Sequence, residues 1–426
     1  MTGIHIFAAV CFALAIFHSF MTKYFEALSK KHRLSNFSGL LHLLGEIEIV
    51  FGFWAMIFIV GHFLLAGKQP TIEYLESRVF TEPLFVFVVM IIAGSKPIIY
   101  FVNNLVKILA KLLPISNSIA FYFLSLAFLP LMGSFITEPA AMTLAALILS
   151  ERYFSLGLST KLKYFTIAVL FVNVSIGGAI TAYAAPPVLI VANKWNWDFA
   201  YMLQHFSWRA ILAVLLNATL ISVCYRKELI EVGEKIQKIE AKQLKKEDKI
   251  YPAVVITALL FLLGVVVFSH HTTVFMALFL FFLGFTEAFR SAFGEKLILR
   301  EGLLVAFFLA GLVVLGGQQA WWIDPILTSI SADSIFYVAV ALTAFVDNAA
   351  LTYLASLVPS LSDSFKYALV AGALSGGGLT IIANAPNPAG FSILKKYFSF
   401  GAINPIGLLG AALVPTLIAV MCFKWI

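Results

Sequence analysis

Residues 375–388 read SGGGLTIIANAPNP, and residues 175–187 read SIGGAITAYAAPP. Each stretch puts glycines and prolines together inside an apolar run, a pattern that predicts a membrane helix unwound near its middle. Backbone that is not helical at this depth is tolerated only where it is buried in protein or faces water. We therefore expect both broken helices to line a cavity.

A second pair of unusual segments precedes the broken helices. Residues 115–150 and 323–360 are each too long for one crossing, and each carries a polar cluster at its middle. These clusters read GSFITEPAAMT at 133–143 and FVDNAALT at 345–352. The pattern predicts two re-entrant hairpins, in which a helix–turn–helix enters and leaves on one side of the membrane.

The order of hairpin and then broken helix occurs twice, so the two halves of the chain repeat one another. With Glu138 placed on Asp347, at an offset of 209 residues, TEPAAMT aligns with VDNAALT. With Ser175 placed on Ser375, at an offset of 200, the glycines of the two broken helices align. Repeats with broken helices at mid-membrane are typical of secondary transporters.

The composition places these motifs in an all-α polytopic membrane protein. Hydrophobic residues make up 61% of the 426 residues and charged residues 12%, against about 45–50% and about 25% in soluble domains. The long apolar runs also exclude a membrane barrel, whose strands alternate apolar and polar residues. Basic residues fall in the short connections between spans, so they indicate orientation rather than nucleic-acid binding.

The charge pattern divides the chain into a first repeat (1–225), a charged linker (226–250) and a second repeat (251–426). The linker has eight basic and six acidic residues and is expected on the cytoplasmic side. Each half then has about five transmembrane helices plus its hairpin, an odd count of crossings that makes the repeat inverted. It also predicts that both chain termini lie outside.

The hairpins with TEPAAMT and FVDNAALT, and the helix LSGGGLTIIANAPNPAG, resemble the ion transporter superfamily. That superfamily includes NhaD-type and NhaB-type antiporters, arsenite permeases and dicarboxylate transporters, and the nearest resemblance is to its Na⁺/H⁺ antiporter family. The resemblance implies an elevator-type scaffold whose hairpins and broken helices hold the cation. The dicarboxylate branch has Ser-Asn-Thr at each hairpin tip, whereas this chain has Thr137-Glu138-Pro139 and Val346-Asp347-Asn348.

Glu138 and Asp347 are the candidate ion-binding and proton-binding carboxylates. A carboxylate inside the bilayer costs about 2.5–3.5 kcal/mol, which makes it a functional-site hypothesis by default. Each is expected to bind Na⁺, a cation that prefers oxygen ligands, and to take up H⁺ when the cation leaves. The alternative is that each carboxylate caps the helix that follows its hairpin turn.

Other residues of the hairpins and broken helices can add oxygens or allow close approach of the backbone. The alternative is close helix packing through small residues. The candidates are Ser134, Thr137, Ser175, Gly177, Gly178, Asn348, Ser375, Gly376, Gly377, Gly378, Thr380, Asn384 and Asn387.

Three further groups of charged or titratable residues have two interpretations each. Lys96, within the apolar run 82–102, is either a counter-charge for Glu138 or Asp347 or a side chain that snorkels to the cytoplasmic side. Glu46 and Glu48 are either interfacial or part of a proton path. His270 and His271 are more simply a loop pair than a pH sensor.

These observations favour a secondary transporter that exchanges Na⁺, or Li⁺ or K⁺, for H⁺ in the cell inner membrane. The alternative is arsenite or small organic anion transport on the same scaffold, which acidic hairpin tips disfavour. An enzyme is not expected, because the chain has no G-x-S-x-G or H-E-x-x-H motif and no cluster of His and carboxylates. Without a P-loop motif, transport driven by ATP is not expected either. No cofactor and no nucleic-acid partner are expected. The lipid bilayer is the expected surrounding, and a homodimer is left open.

Overall fold

The computed structural model describes residues 3–31, 38–182, 184–243, 250–269, 271–294, 297–319, 321–322, 325, 329–356 and 361–426. Every regular element in these ranges is a helix. The helices of the first half and linker are α1 (Gly3–Lys31), α2 (Ser38–Gly45), α3 (Ile47–Ala66), α4 (Lys68–Glu76), α5 (Thr81–Ala93), α6 (Lys96–Leu112), α7 (Asn117–Leu126), α8 (Phe128–Ile136), α9 (Glu138–Arg152), α10 (Thr160–Gly177), α11 (Pro186–Trp195), α12 (Phe199–Met202), α13 (Trp208–Cys224) and α14 (Arg226–Gln243).

The regular elements in the described part of the second half are helices as well. Its helices are α15 (Pro252–Val267), α16 (Thr272–Ala288), α17 (Arg290–Phe293), α18 (Leu299–Gly316), α19 (Ala332–Thr343), α20 (Asn348–Ser356), α21 (Asp363–Gly376), α22 (Asn387–Leu394) and α23 (Pro405–Lys424).

Five described helical stretches are long and apolar enough to cross a membrane, and a sixth is a bent pair. The five are Ile49–Ala66, Asn117–Ile136, Thr160–Ile180, Phe199–Cys224 and Pro405–Lys424. Shorter apolar helices of 10–17 residues supplement them in both halves. The all-α polytopic membrane class predicted from composition is therefore confirmed.

The sequence suggested one straight span over the apolar run 82–102, but the structure has two helices there. Helix α5 ends at Ala93, α6 begins at Lys96, and the two are bent by 70°. Pro97 lies in the first turn of α6, where its missing N–H costs no helical hydrogen bond, so a new helix starts there. The side chain of Lys96 is exposed at this bend.

The first hairpin closes on itself and contacts the linker helix. The Tyr153 hydroxyl, just after α9, donates to the carbonyl oxygen of Ser118 near the start of α7, at 2.6 Å. The Ser118 hydroxyl in turn donates to the carbonyl oxygen of Leu229 in α14, at 2.9 Å. Glu228 of α14 accepts hydrogen bonds from the backbone N–H and the hydroxyl of Ser159, at 2.6 and 2.9 Å. The open end of the hairpin, the start of α10 and the linker therefore lie together.

The two broken helices run past each other in opposite directions. Lys163, near the start of α10, donates to the carbonyl oxygen of Tyr397, just after α22, at 3.0 Å. Halfway along, the Ser175 hydroxyl donates to the carbonyl oxygen of Leu374, at 2.8 Å. The first broken helix thus begins where the second one ends, and the two cross near their breaks.

Candidate functional site

The crossing of the two broken helices explains their glycines. A Cβ added to Gly378 would lie 2.4 Å from the backbone nitrogen of Val172, and one added to Gly377 would lie 2.1 Å from Oγ of Ser175. Contacts below 3.0 Å are not compatible with a side chain at either position without a shift of the neighbour. The glycines therefore let the backbones of the two halves touch.

Glu138 lies at the tip of the first hairpin, directly against the break in α10. Its side chain is fully buried, and a Cβ added to Gly178 would lie 2.3 Å from its Oε1. The amide Nδ2 of Asn384, in the second broken helix, donates to its Oε2 at 2.8 Å. Thr137, which precedes it, has a φ of 77°, an unusual value for a β-branched residue that the tight tip imposes.

The break in α10 is held by Ser134, near the end of α8. The Ser134 hydroxyl donates to the carbonyl oxygen of Gly177 at 2.7 Å and accepts from the backbone N–H of Ile180 at 3.0 Å. The Thr181 hydroxyl donates to the carbonyl oxygen of Ser134 at 2.8 Å. These bonds satisfy backbone groups that the broken helix leaves without helical partners.

The second hairpin tip is fixed by a helix cap. Oδ2 of Asp347 accepts the backbone N–H groups of Ala349 and Ala350, at 3.0 and 3.1 Å, in the first turn of α20. This is the capping arrangement that the sequence left as an alternative. The Thr380 hydroxyl, in the second break, donates to the carbonyl oxygen of Ala344 at 2.9 Å and ties the hairpin to the broken helix.

Three buried asparagines near the breaks use their amide nitrogens to bind protein. Asn387 donates through Nδ2 to the carbonyl oxygens of Gly377 and Thr380, at 2.7 and 2.8 Å. Asn384 donates to the Glu138 carboxylate, as described above. Asn348 donates to Oγ of Ser175 at 3.5 Å, and that hydroxyl already donates to a carbonyl oxygen, so it accepts here.

The amide oxygens of these asparagines are left without hydrogen-bond donors among the described residues. With the nitrogens committed to acceptors, Oδ1 of Asn348, Asn384 and Asn387 is buried and accepts no hydrogen bond from the part of the chain that the structure describes. Oγ1 of Thr137, at the first hairpin tip, likewise has no partner there. Buried polar atoms are normally satisfied. These oxygens belong to the same hairpin tips and helix breaks as Glu138 and Asp347, and carboxylate, amide and hydroxyl oxygens are the ligands that a hard cation takes.

Most of the predicted site residues come together, and a few do not. Ser375 donates to the carbonyl oxygen of Ala371 in its own helix at 2.7 Å, and Gly376 packs on the carbonyl of Val340. Lys96 lies at the α5–α6 bend rather than inside a straight span.

The acidic and histidine candidates outside the hairpins are only partly described. Glu46 forms an ion pair with Arg300 at 3.2 Å, at the start of α3, as an interfacial residue would. The side chain of Glu48 and all of His270 lie outside the described residues, and His271 is exposed at the start of α16.

Two residues that hold the site were not predicted. Thr181 had a detectable signal, because GGAIT at 177–181 aligns with GGGLT at 376–380. Ser207 had none: it ends a π-helical turn, Leu203–Ser207, and its hydroxyl contacts the carbonyl oxygen of Ile180 at 3.1 Å. Single π turns inside α-helices occur frequently at functional sites.

Comparison with protein-family models gives a match over nearly the whole chain. Residues 3–426 match the model of a protein family described as "Putative Na+/H+ antiporter". No curated protein matches the sequence.

Proposed function

The chain belongs to the family described as putative Na⁺/H⁺ antiporters, and from this membership we propose that it exchanges Na⁺, or Li⁺ or K⁺, for H⁺. Membership in this family implies a multi-pass membrane transporter rather than an enzyme. The cell inner membrane is the proposed location.

One observation carries the proposal for the site. Around the two helix breaks, buried oxygens of Thr137, Asn348, Asn384 and Asn387 accept no hydrogen bond from described residues. The carboxylates of Glu138 and Asp347 supply negative charge beside them. Na⁺ is a hard cation that takes oxygen ligands from carboxylates, amides and hydroxyls, and we propose that it binds here.

We further propose that the chain consists of two inverted repeats, 1–225 and 251–426, joined by the cytoplasmic linker 226–250. The antiparallel run of the two broken helices supports this interpretation. A re-entrant hairpin from each half then brings its tip to the crossing, where a bound cation is released to either side as the hairpins and broken helices move.

Transport of arsenite or a small organic anion, the alternative considered from the sequence, has less support. Anion sites in such folds use helix N-termini or cationic side chains directed at the ligand. Here the N-terminus of α20 is already occupied by Asp347, and the fully buried Glu138 would repel an anion.

The exchange is tested by reconstituting the protein into liposomes that enclose a pH-sensitive dye. Na⁺, Li⁺, K⁺, arsenite and citrate are added outside in turn, with protein-free liposomes as the control. We expect at least one monovalent cation to drive proton efflux. A response to arsenite or citrate alone would overturn cation exchange.

A further inference from the structure

The two hairpin tips present different side chains to the two helix breaks. A Cβ added to Gly178 would lie 2.3 Å from Oε1 of Glu138. A Cβ added to Gly377 would lie 2.9 Å from Nδ2 of Asn348. The first break therefore faces a carboxylate, and the second break faces a neutral amide.

Two other pairs of contacts give the same correspondence between the halves. A Cβ on Gly177 would approach the carbonyl oxygen of Pro130 to 2.7 Å, and one on Gly376 would approach that of Val340 to 2.7 Å. Thr181 donates to the carbonyl oxygen of Ser134 in the first hairpin, and Thr380 donates to that of Ala344 in the second. In all three pairs the hairpin residues are 210 positions apart and the broken-helix residues 199.

This spacing differs by one residue from the alignment made on the sequence. Each carboxylate therefore corresponds to a different residue of the other half. Glu138, the first residue of α9, corresponds to Asn348, the first residue of α20. Asp347 then corresponds to Thr137, which precedes α9. Asp347 occupies a capping position, and its Oδ2 is held by two backbone N–H groups.

We propose that Glu138 alone exchanges the bound cation for a proton, while Asp347 remains fixed as the cap of α20. At the subsite around Asn348, protons then do not compete with the bound cation. This inference rests on the proposed cation exchange and assigns its proton to one carboxylate.

The charged surroundings of Glu138 are compatible with such a role. Helix α9 packs against α5, α6, α7, α8, α10 and α22. The titratable residues with described side chains on these helices are Lys96, Tyr100, Lys107, Lys111, Tyr122, Lys161, Lys163 and Tyr164. Lys161 and Lys163 begin α10, far from its break, and Tyr122 is hydrogen bonded to Thr166. Lys96 lies at the bend between α5 and α6. The variant Lys96→Gln is therefore included in the test.

The test measures the apparent KM for Na⁺ of reconstituted protein over a series of pH values. In the wild type, competition at one carboxylate raises KM as the pH falls, by up to about tenfold per pH unit. Asp347→Asn keeps a good capping residue but removes a negative charge beside the site, so KM for Na⁺ should rise at every pH while its pH dependence stays. Lys96→Gln should change KM and leave its pH dependence in place. Glu138→Gln should still bind Na⁺, which is measured as thermal stabilisation of the protein by Na⁺. This binding should not depend on pH, and Na⁺ should drive no proton efflux through the variant.

Several outcomes would overturn the inference. A Glu138→Gln protein with wild-type pH dependence would do so, as would an Asp347→Asn protein that binds Na⁺ without any pH dependence. If Glu138→Gln does not fold, Asn348→Asp replaces it: a second titrating carboxylate should steepen the dependence, and an unchanged slope would contradict the proposal. A wild type that responds to no cation would instead overturn the exchange function itself.

Discussion

The side-chain amide of Asn384 donates a 2.8 Å hydrogen bond to the carboxylate of Glu138, across 246 positions of sequence. The bond joins the tip of the first hairpin to the break of the second broken helix. Neither half of the chain therefore completes the surroundings of this buried carboxylate alone. A movement that separates the first hairpin from the second broken helix would have to break it.

Replacing Asn384 by alanine should weaken cation binding. The substitution removes a hydrogen bond to a charged group, worth about 1.5–3 kcal/mol, together with a buried amide oxygen. We expect the KM for Na⁺ in reconstituted protein to rise about tenfold or more. Ser375→Ala is the matched control, because that hydroxyl binds only its own helix among the described residues. Equal KM changes in both variants would remove Asn384 from the site.

A methyl group at Gly178 should abolish exchange. Its Cβ would lie 2.3 Å from Oε1 and 2.7 Å from Cγ of Glu138, so the carboxylate has to move. In α23, Gly410 has no atom within 4 Å of an added Cβ, and Gly410→Ala should leave exchange unchanged and stabilise the protein by about 0.4–1 kcal/mol. Dye-loaded liposomes report the rates. Full activity of Gly178→Ala would contradict the close packing of Glu138 on the break.

The sequence predicted the hairpins and the broken helices because their polar and glycine residues interrupt long apolar runs. Its two alignments each differ by one residue from the correspondence of the contacts. In the hairpins, identical residues such as Ala140 and Ala349 favoured an offset of 209, and in the broken helices the match of Ser175 with Ser375 favoured an offset of 200 over the match of GGAIT with GGGLT.

The bend before Lys96 was missed because the apolar residues on both sides of GSKP at 94–97 were taken as one run, although Gly94 and Pro97 are residues that commonly mark a turn and the start of a helix. The contact between Asn384 and Glu138 depends on how the halves pack, which no local pattern encodes.

Loss of the contact between linker and core should lower thermal stability. Glu228→Ala removes the acceptor of both the N–H and the hydroxyl of Ser159 at the start of α10. Losing these two hydrogen bonds costs about 1 kcal/mol, which for a chain of this size lowers Tm by about 1–3 °C. Glu231→Ala, at an exposed position of the same helix, is the control. Fluorescence-detected unfolding in detergent compares the two, and equal Tm values would count against the contact.

The proposed topology places the linker inside. A cysteine at Lys238, exposed on α14, should react with a membrane-impermeant maleimide only after the cells are opened. A cysteine at Lys68, exposed at the start of α4, should react from outside in intact cells. Both variants need a background without the three native cysteines. The reverse pattern of labelling would show that the span count is wrong by one.

The central claim is that Na⁺ and H⁺ compete for one buried carboxylate, Glu138. The most direct measurement is proton release when NaCl is added to purified protein in weakly buffered detergent solution, with choline chloride as the control for ionic strength. The account predicts release of up to about one proton per chain from the wild type, and none from Glu138→Gln that still binds Na⁺. Na⁺ binding to the wild type without proton release at any pH tested would contradict it.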